Sequence, residues 1–180
     1  MFIRVFEPKE YAEGEEFEAA GLKLVATRLP HYTVQTYGFR VSNTTRTLAY
    51  SGDSGPSERL SRLAEGVDLF LCEATLERGE LDGEPRGISR PDEAVAAYEA
   101  SGAKRLLLTH RPKELSLDDG LEQAHDGLQL GRLTGPRWDP CWVVAIPVGD
   151  EPEGPRVMSE LDLRSRSSSC RFRLICDGSP

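Results

Sequence analysis

Histidine is scarce in this chain: three in 180 residues, at positions 31, 110 and 125. The four cysteines, Cys72, Cys141, Cys170 and Cys176, form no C-x-x-C pair, so metal thiolates are not indicated. Long apolar runs are missing as well. Nothing approaches the roughly 18 apolar residues of a membrane span, and the opening MFIRVFEPKEY lacks the charged-then-apolar layout of a signal peptide. The chain therefore reads as cytoplasmic, with no membrane partner. Positive charge is short too: the formal net charge is −8 and the pI about 5.0, so the surface repels polyanions. Only residues 164–173 are basic, which argues against nucleic acid as a partner. No G-x-G-x-x-G, P-loop or G-x-S-x-G occurs, and the one glycine-rich turn, SGDSG, carries an acid that would oppose a phosphate.

What is present is a series of short apolar runs that end in polar chemistry. LVATRLPH ends at His31, TLAYSGD at Asp53 and KRLLLTH at His110. Two imidazoles and a carboxylate projected from strand ends toward one sheet edge make a plausible zinc ligand set. Around them the pattern predicts strands over residues 22–27, 37–42 and 47–50, with LPHYTVQT between the first two, and a further strand near Phe2 and Val5. YAEGEEFEAAG reads as an acidic, solvated turn. SERLSRLAEG reads as a helix capped by Ser57 and stopped at Gly66, and PDEAVAAYEASG as a helix from Pro91 to the stop at Gly102. VDLFLCEA is a nearly continuous apolar strand of the kind a parallel or mixed sheet buries on both faces, with Cys72 as a small buried thiol. Strand, helix, strand, helix, strand gives an α/β fold with partly parallel pairing. At 180 residues the chain can bury one sizeable core. Residues 1–130 form that domain, 131–150 a divergent edge segment with a strand over 141–148, and 151–180 a poorly ordered tail of shifted composition.

Three blocks, LPHYTVQTYGFRV, LAYSGDSGPSERLSRLAEGVDLFLCEATL and AKRLLLTHRP, occur in an order and context that resembles the metallo-β-lactamase-fold hydrolases, in the branch of ribonuclease Z-like enzymes. The likeness covers residues 2–128 and leaves the tail unexplained. It implies the second half of an αβ/βα sandwich: a mixed sheet with flanking helices. It also implies a centre of one or two zinc ions, with His31 on one metal, His110 on the other and Asp53 bridging. Metals that close together share a hydroxide able to attack an ester or phosphodiester of a small molecule, so no serine or cysteine nucleophile is needed.

Two departures qualify that implication. The family's HxHxDH segment is absent by simple count of histidines, which leaves two protein ligands per metal where catalytic zinc usually has three. The loop histidine before the second helix is replaced by Gly87 and Ile88 in RGISRPDEA, so no catalytic residue is assigned. The sequence therefore supports two readings: a zinc-dependent hydrolase that lacks the HxHxDH part of its site, or a catalytically silent fragment or binding module that keeps the fold. It also predicts an apolar inner sheet face, including Phe39, Leu48, Phe70 and Leu107, left for self-association or a missing N-terminal half. Asp68, Glu73 and Asp126 are further carboxylates near the motifs, with Glu73 expected to accept a local hydrogen bond, and His125 reads as a solvated loop residue.

Overall fold

The computed structural model describes residues 10–112, 114–115, 117–118, 120–125, 128 and 130, and the backbone of 143–145 and 173–175. The strand expected near Phe2 and Val5 and most of residues 131–180 lie outside these. Strands β1 (Glu16–Ala19), β2 (Leu22–His31), β3 (Val34–Ser42), β4 (Thr47–Tyr50), β5 (Leu69–Glu73) and β6 (Leu106–Thr109) form one sheet in sequential order. Helix α1 (Glu58–Leu63) joins β4 to β5, and α2 (Pro91–Ser101) joins β5 to β6. Further along, β7 (Val143–Ala145) and β8 (Arg173–Ile175) pair antiparallel with each other.

The sheet is mixed. β1 through β4 pair antiparallel in turn, whereas β4, β5 and β6 pair parallel through the two helical crossovers. Because β3 is antiparallel to both its neighbours, β2 runs in the same direction as β4, β5 and β6. The C-terminal ends of those four strands therefore share one edge of the sheet, where open α/β sheets place their ligands.

Both helices cover the same face. Leu60, Leu63 and Ala64 of the α1 region and Ala94 of α2 pack with Phe70, Cys72 and Leu108. Phe70 and Leu108 are fully buried, each contributing roughly 1.5–3 kcal/mol through the apolar area removed from water. The opposite face carries Leu24, Phe39, Val41, Leu48, Leu71 and Leu107, covered in part by Tyr11, Phe17, Leu128 and Leu130. This is a mixed α/β sheet with flanking helices, the arrangement of one half of an αβ/βα sandwich. Among the described residues no helix is long and apolar enough to cross a membrane.

Several expectations need correction. The acidic stretch read as a turn contains β1, whose Glu16 and Glu18 alternate with the partly buried Phe17 and Ala19. β2 extends to His31 and β3 starts at Val34, so LPHYTVQT is the tip of a long hairpin with His31 and Val34 facing each other across Tyr32 and Thr33. Phe70 belongs to the helix-covered face. The inner-face residues Phe39, Leu48 and Leu107 are only 7%, 8% and 3% exposed, so they are not laid bare.

Candidate functional site

His31, Asp53 and His110 lie at the shared C-terminal edge, at the ends of β2, β4 and β6. Asp53 follows β4 in a turn that begins with Gly52 at φ +61. A side chain at position 52 would stand 3.0 Å from the Tyr37 carbonyl, so the turn needs glycine for space as well as for its backbone angle. His110 adopts φ +59, an uncommon left-handed conformation for a bulky residue, and the Thr75 hydroxyl donates to its carbonyl at 3.1 Å. That conformation turns its ring edge-on to Tyr50 and brings Nδ1 to 2.7 Å from Asp53 Oδ1. A carboxylate oxygen only accepts, so Nδ1 of His110 carries the proton.

His31 is engaged separately. Its Nδ1 lies 2.7 Å from the Gly87 carbonyl, and its ring lies 4.9 Å from that of Tyr32. The structure thus joins Asp53 to His110 and ties His31 to the loop before α2. His125 is exposed, as the sequence predicts. Asp68 stands at the start of β5, on the opposite edge of the sheet, where it pairs with Arg46 and Lys104, so it is not a helper of this site. Asp126 lies outside the described residues.

Beneath the edge is a buried carboxylate. Glu73 ends β5 with its side chain sealed from solvent. Its Oε2 accepts from the Ser54 and Ser89 N–H groups at 2.9 and 3.2 Å, and its Oε1 from the Thr75 N–H at 3.3 Å. Burial pushes its pKa up to about 7 even though these donors favour the charged form. Ser51 Oγ accepts from the Glu73 N–H at 2.9 Å, and Ser89 Oγ donates to the Ser54 carbonyl at 2.7 Å. Three connections converge on this one group: the Asp53 turn, the end of β5 and the segment before α2. The expectation of a local hydrogen bond at Glu73 holds, but the serines were missed. Their only sequence signal was small polar residues beside turn glycines and before Pro91.

The loop before α2 holds a second network that sequence reasoning did not find. Asp82 accepts from Arg86 Nε at 2.8 Å and from the Gly87 and Ile88 N–H groups at 2.8 and 2.9 Å. Arg86 also pairs through both terminal nitrogens with Glu93 in the first turn of α2. Acids and arginines spread over a polar loop look like solvated charge until the fold brings them together.

As a metal centre the arrangement is incomplete. Among the described residues, no group of three or more His, Cys, Asp or Glu side chains could hold a metal ion. Asp53 and His110 satisfy one another, and His31 adds a single ring nitrogen. Among the described residues the donors fall short of a resident zinc centre, whose catalytic form usually has three protein ligands and an open position.

Comparison with known proteins places this geometry. A family profile described as "Beta-lactamase superfamily domain" matches residues 4–111. An uncharacterized protein of Mycobacterium bovis is 33% identical over 121 residues, covering 67% of this chain and 44% of that protein. The ribonuclease Z of Methanothermobacter thermautotrophicus is 44% identical over 64 residues, covering 35% of this chain and 21% of the enzyme. Among solved structures, a diphosphatase of the PhnP family superposes with a TM-score of 0.51 at 26% identity, over 67% of this chain and 47% of that one. The chain thus spans less than half the length of the curated relatives it matches.

Proposed function

We propose, from the premise that this chain belongs to the beta-lactamase superfamily, that it keeps the metallo-β-lactamase fold while being catalytically silent by itself. The observation that carries this reading is the state of the inherited positions. Asp53 and His110 are bonded to each other, and no third donor completes a ligand group with them among the described residues. A zinc ion held by two protein groups is bound weakly and leaves its geometry to solvent. What the chain's own residues do is structural. Asp53 fixes the His110 ring, Glu73 holds the Asp53 turn through the Ser54 N–H, and Gly87 fixes His31.

Metal analysis and turnover on the same purified full chain test this. After exposure to zinc and dialysis, the chain is expected to retain far less than one ion and to leave bis-p-nitrophenyl phosphate and p-nitrophenyl acetate intact. Retention of about one or two ions per chain, with turnover lost on chelation, would overturn the reading.

One observation favours a second reading, a zinc-dependent hydrolase whose remaining ligands come from outside the described residues. In His31 Nδ1 is the nitrogen bonded to the Gly87 carbonyl, the outer-shell acceptor arrangement common to ligating imidazoles, which directs Nε2 to the sheet edge. Under that reading His31, Asp53 and His110 are the metal residues. The net charge of −8 then favours a small ester or phosphodiester over a polyanion as substrate, in a cytoplasmic setting. That charge sets the chain apart from what the name of its ribonuclease Z relative would suggest.

A further inference from the structure

The segment 82–93 is held far more tightly than a polar loop needs to be, and its one product at the sheet edge is a carbonyl aimed at an imidazole. A carbonyl oxygen accepts hydrogen bonds and cannot donate them. The 2.7 Å contact of Gly87 O with His31 Nδ1 therefore requires the proton on Nδ1 and, in the neutral ring, a lone pair at Nε2. In water a neutral histidine favours the opposite tautomer, so the carbonyl must be held in place to enforce this one.

Three restraints hold it. Asp82 accepts the N–H groups of Gly87 and Ile88 with one oxygen and Arg86 Nε with the other. Arg86 spans the gap to Glu93, its Nη2 lying 3.0 Å from Oε2, and so ties the loop to the first turn of α2. The side chains of Asp82, Arg86 and Glu93 are only 5%, 16% and 14% exposed, so these are sheltered charges and not a surface pair. From the other side, the Tyr32 N–H donates to the Arg86 carbonyl at 3.2 Å, and the Tyr32 ring lies flush on Gly87. A Cβ at position 87 would stand 2.6 Å from Tyr32 Cγ and 2.4 Å from Cδ2, too close for the root of a ring to yield.

We propose that the Asp82–Arg86–Glu93 clasp, closed by Tyr32, is a positioning device for His31 that holds its ring as the Nδ1-protonated tautomer and presents Nε2 as an acceptor. The role is independent of whether the chain turns over a substrate. It supplies an oriented lone pair at the sheet edge to whatever acidic proton or cation meets it there.

The test is long-range proton–nitrogen NMR of the full chain, uniformly labelled with nitrogen-15 and held above the histidine titration range. Loss of signals in His31→Gln assigns the ring. Wild type is expected to show His31 protonated at Nδ1. Glu93→Gln, which keeps shape and removes the charge pair, and Gly87→Ala, which pushes the carbonyl off line, are each expected to shift the ring toward Nε2 protonation. The double variant Gly87→Ala/Tyr32→Ala, which makes room for the new methyl and keeps the backbone N–H at position 32 that closes the clasp on the Arg86 carbonyl, is expected to recover the wild-type pattern. Throughout, unchanged His110 signals show that the fold is intact, so a purely structural role would leave His31 unmoved in these folded variants. A wild-type His31 protonated at Nε2, or an unaltered tautomer in both single variants, would overturn the proposal.

Discussion

At the scale of single residues, Glu73 is the group on which the site's loops depend. Glu73→Gln replaces an acceptor oxygen with an NH2 group that faces backbone N–H donors, so it is expected to lower stability by roughly 1–3 kcal/mol in denaturant titrations near neutral pH. The pH dependence gives a sharper signature. The folded-state pKa is raised from 4.5 to about 7, so between those values the folded chain binds more protons than the unfolded one. The stability linked to Glu73 is thus fully present below pH 4.5, is lost as pH rises through about 7, and is flat beyond; the swing is on the order of 3 kcal/mol. The difference between wild type and Glu73→Gln should shrink across that window, and a difference independent of pH would refute the assignment. Asp82 acts in the opposite sense. Burial alone would raise it, but the Arg86 guanidinium and the Gly87 and Ile88 N–H groups outweigh burial and hold its carboxyl well below the usual range. Its contribution is present above the unfolded value of 3.8 and is lost as pH falls. The strand-end placement of His31, Asp53 and His110 was legible in the sequence because each ends an apolar run. Glu73's three donors and the Arg86 clasp were not, since both depend on loops that meet only after the strands have paired.

At the scale of elements, local chemistry marked boundaries well where it acts alone and poorly where tertiary context decides. Ser57 caps α1, accepting the Arg59 N–H at 3.2 Å, and Gly102 closes α2 in the left-handed conformation at φ +66, both as the sequence indicates. Ser57→Ala is expected to cost about 1 kcal/mol, read as a lower denaturation midpoint with unchanged slope. β2 is the instructive miss. Pro30 argues against continuing a strand, because it has no N–H to give. Yet β1 reaches only as far as Val25, with which Glu16 pairs, so beyond that point, among the described residues, β2 has β3 on one side and no strand on the other. Proline is tolerated on that open side, and His31 is carried on a rigid hairpin arm in place of a loose loop.

At the scale of the whole molecule, the order of strands and helices was enough to give a mixed α/β sheet, but not which residues face which layer. An apolar strand buried on both sides, such as β5, reads the same in either orientation, which is why Phe70 was placed on the wrong face. Leu24 and Leu108 lie on opposite faces and neither has exposed area. Leu24→Ala and Leu108→Ala are each expected to cost about 2–5 kcal/mol in chemical denaturation. With the sheet between them, their costs should add to within roughly 0.5 kcal/mol in the double variant if unfolding is a single transition. Marked coupling, or a second transition, would mean that the two faces melt apart. The common direction of β2, β4, β5 and β6 divides the connections into two classes with different tolerance to change. The turn between β3 and β4, tied by Asn43 Oδ1 to the Thr45 and Arg46 N–H groups, lies at the edge away from His31, Asp53 and His110. Peptide tags, fluorophores or chain breaks can be introduced there without touching those residues, whereas at the other rim the β2–β3 turn, the Asp53 turn and the loop before α2 are bound to one another. The molecule has, in effect, a handle end and an end that carries His31, Asp53 and His110, and a reporter on the first can read events at the second.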